Sequence, residues 1–247
     1  MSNFSVNTNA GALLALQYLN HTSMELNTVQ NRINTGLTVA STKDDSAVYA
    51  IAQNLRADMA GAKAVKSSLD RAKSTLDVAI SAAESISDTL IQMQAKAEAA
   101  ADPGLDAASR TALANDYNAL RDQIKTIVGS AQFNGTNILV NGGGSISALL
   151  SDRDSDSGTA GFQVDSFDVV NQDLSLGAPG SPGTNILLAE DSTFTDETTA
   201  ATEVDNVKTS IANVNTVLAT LGSASRQLDS QLKFVAKLSD VVETGIG

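Results

Sequence analysis

Residues 62–97 read AKAVKSSLDRAKSTLDVAISAAESISDTLIQMQAKA, and the placing of their apolar side chains decides the fold. Ala62, Val65, Leu69, Ala72, Leu76, Ala79, Ala83, Ile86, Leu90, Met93 and Ala97 follow one another at alternating steps of three and four. That alternation draws one continuous seam along a helix, the pattern of a helix packed lengthwise against others. At 1.5 Å per residue the stretch spans ~54 Å.

Working outward, a second seam lies near the C-terminus. Val204, Val207, Ile211, Val214, Leu218, Leu221, Ser225, Leu228, Leu232, Val235, Ser239 and Val242 repeat the same steps. Two serines and an internal Gly222 lower its helix propensity slightly. Between the seams, Asp102-Pro103-Gly104 breaks the first helix. Leu113, Tyr117, Leu120, Ile124 and Ile127 then predict an amphipathic helix ending near Gly129, antiparallel to the first across so short a turn. Upstream, residues 1–36 predict another helix, with Leu13, Leu16, Leu19, Leu26, Val29 and Ile33 on or near one face and Gly36 as its C-cap. Its stripe is narrow, so the helix is expected to fray alone. A connector at 37–45 leads to the next helix, where Thr42 and Asp45 have capping-box spacing.

Residues 130–200 differ in character. They are rich in Gly, Ser, Asp and Thr, with Gly142-Gly143-Gly144 and Pro179-Gly180-Ser181-Pro182-Gly183 as turns. Phe162–Val169 and Asn185–Leu188 read as strands, giving a few expected hairpins at the tip of a helical rod. The predicted fold is thus mainly α: an elongated rod of long antiparallel helices, coiled-coil-like, with a small β-hairpin insert. The expected domains are 1–40 as a terminal helix, 41–140 with 200–247 as the helical rod, and 141–199 as an acidic, outward-facing insert.

Composition narrows the function. The 247 residues include no Cys, no Trp and one His, and aromatics make up 4%. Without Cys there is no disulfide framework, thiolate nucleophile or cysteine zinc site. The net charge is −12, and residues 150–205 hold twelve acids against Arg153 alone. A nucleic-acid partner would need a basic footprint, which this distribution denies. The N-terminal stretch lacks a basic n-region, and no apolar run reaches the ~20 residues of a membrane span. Export would therefore use a dedicated route rather than a cleaved signal.

Catalytic constellations are missing from the sequence. His21 lies in a polar part of the first helix and reads as a solvated surface side chain. No zinc helix, nucleophile triad or phosphate-binding glycine loop is present, and no cofactor is expected. Asp152, Asp154 and Asp156 with Gly158 resemble the start of a calcium loop. Its sixth and twelfth positions, however, are Ser157 and Gln163, so a solvated acidic loop is the better reading. The sequons at Asn20 and Asn134 are short enough to arise by chance.

The ordering of elements resembles that of flagellins, and particular stretches are similar to theirs. Val6–Ala10 with Leu13 and Leu16 resembles the family's opening. Gln30–Gly36, with Arg32, Asn34 and Gly36, resembles its "RLSSG"-type stretch in alphaproteobacterial form. Ala40–Ala47, with Lys43, Asp44 and Asp45, resembles "SAKDDAA", and Ser130–Leu139, with Phe133, Asn134 and Gly135, resembles "TxFNGxxLL". The resemblance implies an exported, extracellular subunit that self-assembles with other flagellin subunits into the flagellar filament. It also implies an export chaperone as a partner, and neither nucleic acid nor membrane insertion. Terminal helices would form the filament core, with Leu69, Leu76, Ile86, Leu90, Met93, Ile211, Leu218, Leu221, Leu228 and Leu232 as the seam of the surrounding rod. A flagellin-like hook–filament junction protein is the alternative, followed by a cytoplasmic coiled-coil adaptor.

Two departures carry expectations. Flagellins continue past the second long helix into a C-terminal helix that pairs with the first, whereas this chain stops at Gly245-Ile246-Gly247, so the mate of residues 1–36 is expected to be missing. Flagellins sensed by their Toll-like receptor also carry an Arg where this chain has Gln92, which implies a weak or absent response.

Overall fold

The computed structural model describes residues 9–154 and 164–246, and the side chains of 152–154 and 164 are not described. The fold is mainly α. In order come α1 (Ala10–Thr35), α2 (Ser46–Ala100), α3 (Ala107–Ser130), β1 (Ile146–Asp154), β2 (Val164–Val169) and α4 (Glu197–Ile246). Contacts divide the chain into two compact units. Unit 1 is residues 1–60 with 238–247, and unit 2 is residues 61–237.

Unit 2 holds the core. All eleven seam positions from Ala62 to Ala97 are buried, and Leu69, Leu76, Ile86, Leu90 and Met93 are fully so. Alanines are interspersed with larger residues along this seam, which lets neighbouring helices approach closely at those points. Lys73 of α2 bonds Asp229 (3.2 Å) and Ser225 (3.1 Å) of α4, while Lys208 of α4 reaches Glu98 of α2 (3.3 Å). High numbers on one helix meet low numbers on the other, so the two run antiparallel.

α2 ends at the turn holding Pro103, and its last carbonyls are bonded by a cation from the next helix. The Arg110 guanidinium donates to the carbonyls of Ala100 (2.9 Å) and Asp102 (3.0 Å), satisfying acceptors that the helix end leaves open. α3 starts on Asp106, whose carboxylate accepts from the Ala108 and Ser109 N–H groups, both 2.9 Å. Lys96 then bonds Asp116 across the hairpin (2.6 Å).

α3 is only 24 residues long, so it covers part of the α2–α4 pair. The β-hairpin continues the third layer. The Leu149 N–H donates to Ser68 Oγ of α2 (3.2 Å), and Gln231 of α4 donates to the Leu150 carbonyl (3.1 Å). The strands are antiparallel, with Ile146 opposite Val169 and Leu149 opposite Ser166, and an irregularity before Asp154 pairs with Val164. Ile146, Ala148 and Val169 point into the core.

Three expectations need correction. The described residues contain one hairpin, and it lies along the flank of α2 and α4 rather than at a tip. Asn185–Leu188 is no strand. Its backbone is bonded by α4 side chains instead: the Leu187 N–H donates to Ser210 Oγ (2.8 Å) and Asn213 donates to the Asn185 carbonyl (2.9 Å). Ile186 and Leu188 are fully buried there, so this acidic segment turns an apolar side inward. Along α4, Leu221 and Leu228 are fully buried, but Ile211, Leu218 and Leu232 are half-buried, and Ser210, Val217 and Ala224 lie deeper. The seam still faces the core, and beside the docked segment the buried face widens to take in Ser210, where a hydroxyl suits better than a branched side chain because a backbone amide must be met.

Candidate assembly surface

Unit 1 is built differently. Not one of its described residues is buried. α1 begins on Asn9, whose side-chain oxygen accepts from the Gly11 (3.1 Å) and Ala12 (3.2 Å) N–H groups. It ends at Gly36, left-handed at φ 68°, with the Gly36 N–H bonded to the Arg32 carbonyl. Arg32 stands in the last turn, where a cation suits the helix dipole. α1 runs over Ala10–Thr35 and is closed at both ends by local caps.

α1 carries Leu13, Leu14, Leu16, Tyr18, Leu19, Met24, Leu26, Val29 and Ile33, all exposed. Around residues 10–19 apolar side chains point in nearly every direction, with Gln17 the one polar exception. A helix apolar all round is one that should be surrounded. Further along, Leu26, Val29 and Ile33 narrow to one stripe continuing Leu19. The His21–Glu25 pair (3.5 Å) flanks that stripe. Burying each such side chain is worth about 1.5–3 kcal/mol, so the helix withholds a large driving force. Val48 and Ile51 on the first turns of α2, and Leu238 and Val241 near the end of α4, extend the exposure within unit 1. Outside it, the only exposed large apolar residues described are Ile91, Phe133, Val170 and Phe234.

The Lys43-Asp44-Asp45 stretch resolves into two adjacent carboxylates with separate tasks. Asp44 closes the preceding turn, accepting from the N–H groups of Ala40 (3.2 Å) and Ser41 (3.0 Å). Asp45 caps α2, accepting from Ala47 (2.9 Å) and Val48 (3.0 Å). The capping box expected from Thr42 is replaced by Asp45 itself. Asn34 is exposed on α1, and Lys43 is exposed in the turn.

Phe133-Asn134-Gly135 belongs to unit 2. Asn134 (φ 49°) and Gly135 (φ 80°) are both left-handed, and Phe133 and Thr136 exchange two backbone bonds of 3.0 and 2.9 Å, making a type I′ turn. Asn137 next to it donates to the Val128 carbonyl (2.7 Å), bonding the end of α3. Gln92 is exposed on α2. The "RLSSG"-like and "KDD" stretches thus shape unit 1 and the "FNG" turn shapes unit 2. Each acts as a backbone device rather than as part of one chemical site.

Sequence reasoning missed two polar anchors. The Asn171 amide donates to the carbonyls of Val140 (3.0 Å), Gly143 (2.9 Å) and Gly144 (3.4 Å), clamping the glycine turn. Buried Tyr117 donates to Glu203 (2.8 Å) and meets Phe194 edge-on at 5.2 Å. Burial pushes the Glu203 carboxyl up, against the opposing pull of Tyr117, Asn206 and Arg121; burial and the Glu203 charge push the Tyr117 phenol up. Glu203 falls just outside the apolar steps, which is the signal that could have marked it. The Asp152–Gln163 stretch weighed as a calcium loop lies outside the described side chains. Among the described residues no cluster of three or more acids or histidines could hold a metal ion, and no helix is long and apolar enough to cross a membrane.

The family model for the bacterial flagellin N-terminal helical region matches residues 6–142. Flagellin FljK of Caulobacter vibrioides is 43% identical over 243 residues, covering 98% of this chain and 83% of the relative. Flagellin C of Rhizobium meliloti is 27% identical over 279 residues, covering 98% and 86%. The crystal structure of Bacillus cereus flagellin superposes with a TM-score of 0.55 at 28% identity, over 68% of this chain and 88% of that one. A putative flagellar hook-associated protein from Vibrio parahaemolyticus gives a TM-score of 0.62 at 16% identity, over 84% and 99%, a likeness of fold alone.

Proposed function

We propose, for a chain that belongs to the flagellin family and is a structural subunit of the bacterial flagellar filament, that copies associate through unit 1 with the apolar surface of α1 at the centre of the contact. Flagellins polymerise with other flagellin subunits into the extracellular filament, and the hook-associated alternative is not favoured. The observation carrying the assignment is the contrast in burial: unit 1 holds most of the exposed large apolar side chains described and buries none of its described residues. Soluble monomers rarely leave so much apolar surface open, and large exposed patches mark association sites.

Residues 1–40 are then the core-forming part, 41–140 with 200–247 the helical shaft, and 141–199 the side turned outward, where its acids favour solubility. The role is structural rather than catalytic. An export chaperone of the flagellar secretion system would cover α1 before assembly, since the same surface would otherwise aggregate. Exposed Gln92 offers no guanidinium fork at the receptor-contact position, so purified protein should give little signal in a Toll-like receptor reporter assay; a robust response overturns that part.

Leu26→Asp tests the assignment. The variant should fail to add to filament seeds under the electron microscope, while the urea unfolding of unit 2 stays where it was. Normal filaments from Leu26→Asp would show that α1 does not hold copies together.

A further inference from the structure

α1 presents a second line of side chains beside its apolar stripe. Leu14, Tyr18, His21, Glu25, Thr28 and Arg32 follow at alternating steps of four and three, so they share one ridge. The ridge opens with two large exposed apolar groups, Leu14 and Tyr18, and turns polar at His21. There the imidazole Nδ1 stands 3.5 Å from Glu25 Oε1, with the two side chains 68% and 67% exposed. The other titratable groups of α1 are Tyr18 and Arg32, and among the described residues no side chain of α1 bonds another helix or strand. Arg32 lies two turns beyond Glu25, roughly 10 Å along the axis, so among the described residues His21 is the one cation paired with that carboxylate. It is also the chain's one histidine, and histidine is the side chain whose ordinary titration falls between pH 5 and 8.

We propose that His21 makes association through α1 depend on pH: protonated, it neutralises Glu25 on a ridge that a second copy covers, and unprotonated it leaves that carboxylate to be covered alone. The proposal rests on the assembly reading above and adds its regulation. In a free copy water solvates both groups, and so exposed a pair contributes little in either state. Covering the ridge changes the balance, because a charge taken from water without its partner costs far more than one that stays paired. Leu14 and Tyr18 on the same ridge are themselves apolar and open, so the surface that calls for cover reaches His21. The overall charge acts in the same direction. Each copy carries −12, and a proton taken up lessens the repulsion between copies. The covered state thus prefers the protonated imidazole. The added affinity is complete below the ordinary histidine value of about 6.5, and it is lost as pH rises through the value held in the contact.

Seeded elongation of the full chain, from about pH 6 to about pH 8, tests the idea. For the wild type the concentration of copies left unpolymerised should rise roughly tenfold over that range, as a one-unit shift of a single linked proton gives. His21→Gln, which keeps the N-terminal amine and Glu203, should flatten the dependence. Glu25→Gln should reverse it, because the protonated imidazole is then the unpaired charge, and a merely structural role for the pair would not change the sign. In weakly buffered solution the wild type should take up protons as it polymerises, and His21→Gln should take up far fewer. Both positions are exposed, so thermal unfolding followed by circular dichroism should not change. A pH profile shared by the wild type and His21→Gln, or a Glu25→Gln variant that keeps the wild-type direction, overturns the proposal. If such an outcome accompanies loss of elongation in Leu26→Asp, the assembly reading stands and only its pH control falls. A wild type that never adds to seeds removes both.

Discussion

α1 and residues 62–97 of α2 are both long helices with a sustained run of apolar side chains, yet they end in opposite states. Each seam position of α2 between Ala62 and Ala97 is buried, whereas none of the nine large apolar residues of α1 is. Patterning therefore reports that a helix has an apolar face and leaves open whose atoms cover it. In unit 2 the cover comes from α3, α4, the hairpin and residues 171–195 of the same chain. In unit 1 no described residue is buried, and on the proposed reading that difference separates a part that folds from a part that assembles.

The widest gap between the two helices should appear in equal truncations. Leu90→Ala removes a fully buried side chain and should lower the unfolding free energy by about 3 kcal/mol, the middle of the range for core leucines. Leu26→Ala removes the same atoms from an exposed position and should shift it by less than about 0.5 kcal/mol. Urea denaturation read at 222 nm by circular dichroism supplies both values. Similar losses from the two would erase the distinction.

A smaller effect concerns the cap that starts α2 within unit 1. Asp45→Ala leaves two N–H groups without their acceptor and should cost about 1 kcal/mol of helix stability, while Thr42→Ala should cost almost nothing. Amide hydrogen exchange at residues 46–50 should quicken in the first variant only. Quickening in the second instead would restore the capping box suggested by spacing.

Much of the helical order was legible because three-four spacing is a strong signal over tens of residues. The α2 seam was read position by position. On α4 Ile211, Leu218 and Leu232 pack at the margin of the core, and periodicity alone gave no reason to pick Ser210, which lies deeper than Ile211. Residues 171–195 were harder still. Part of their backbone is bonded by Ser210, Asn213 and Arg121, side chains far along the chain, and local sequence carries no trace of such partners. The assembly surface was legible as a stripe lacking a mate, but its full extent over Val48, Ile51, Leu238 and Val241 needed the fold.

The smallest and most selective effect is a pH dependence confined to unit 2. Glu203 is buried there beside Tyr117 and Arg121 of α3 and Asn206 of α4, whereas no described titratable group of unit 1 is buried. Burial raises the Glu203 carboxyl above its unfolded value, so the protonated form is the one the folded state prefers. The stability linked to this preference is fully present below the usual glutamate range, near 4.3, and is lost as pH rises through the folded value. Glu203→Gln keeps an acceptor for the Tyr117 hydroxyl but cannot ionise, so it should unfold at a higher temperature than the wild type near neutral pH. That advantage should shrink as pH falls into the carboxylate range. Helicity of unit 1, followed by exchange at residues 10–35, should be the same in both proteins at every pH. An advantage that persists unchanged in acid would mean that Glu203 acts through shape rather than charge, while a matching change in α1 would show that the two regions are not energetically separate.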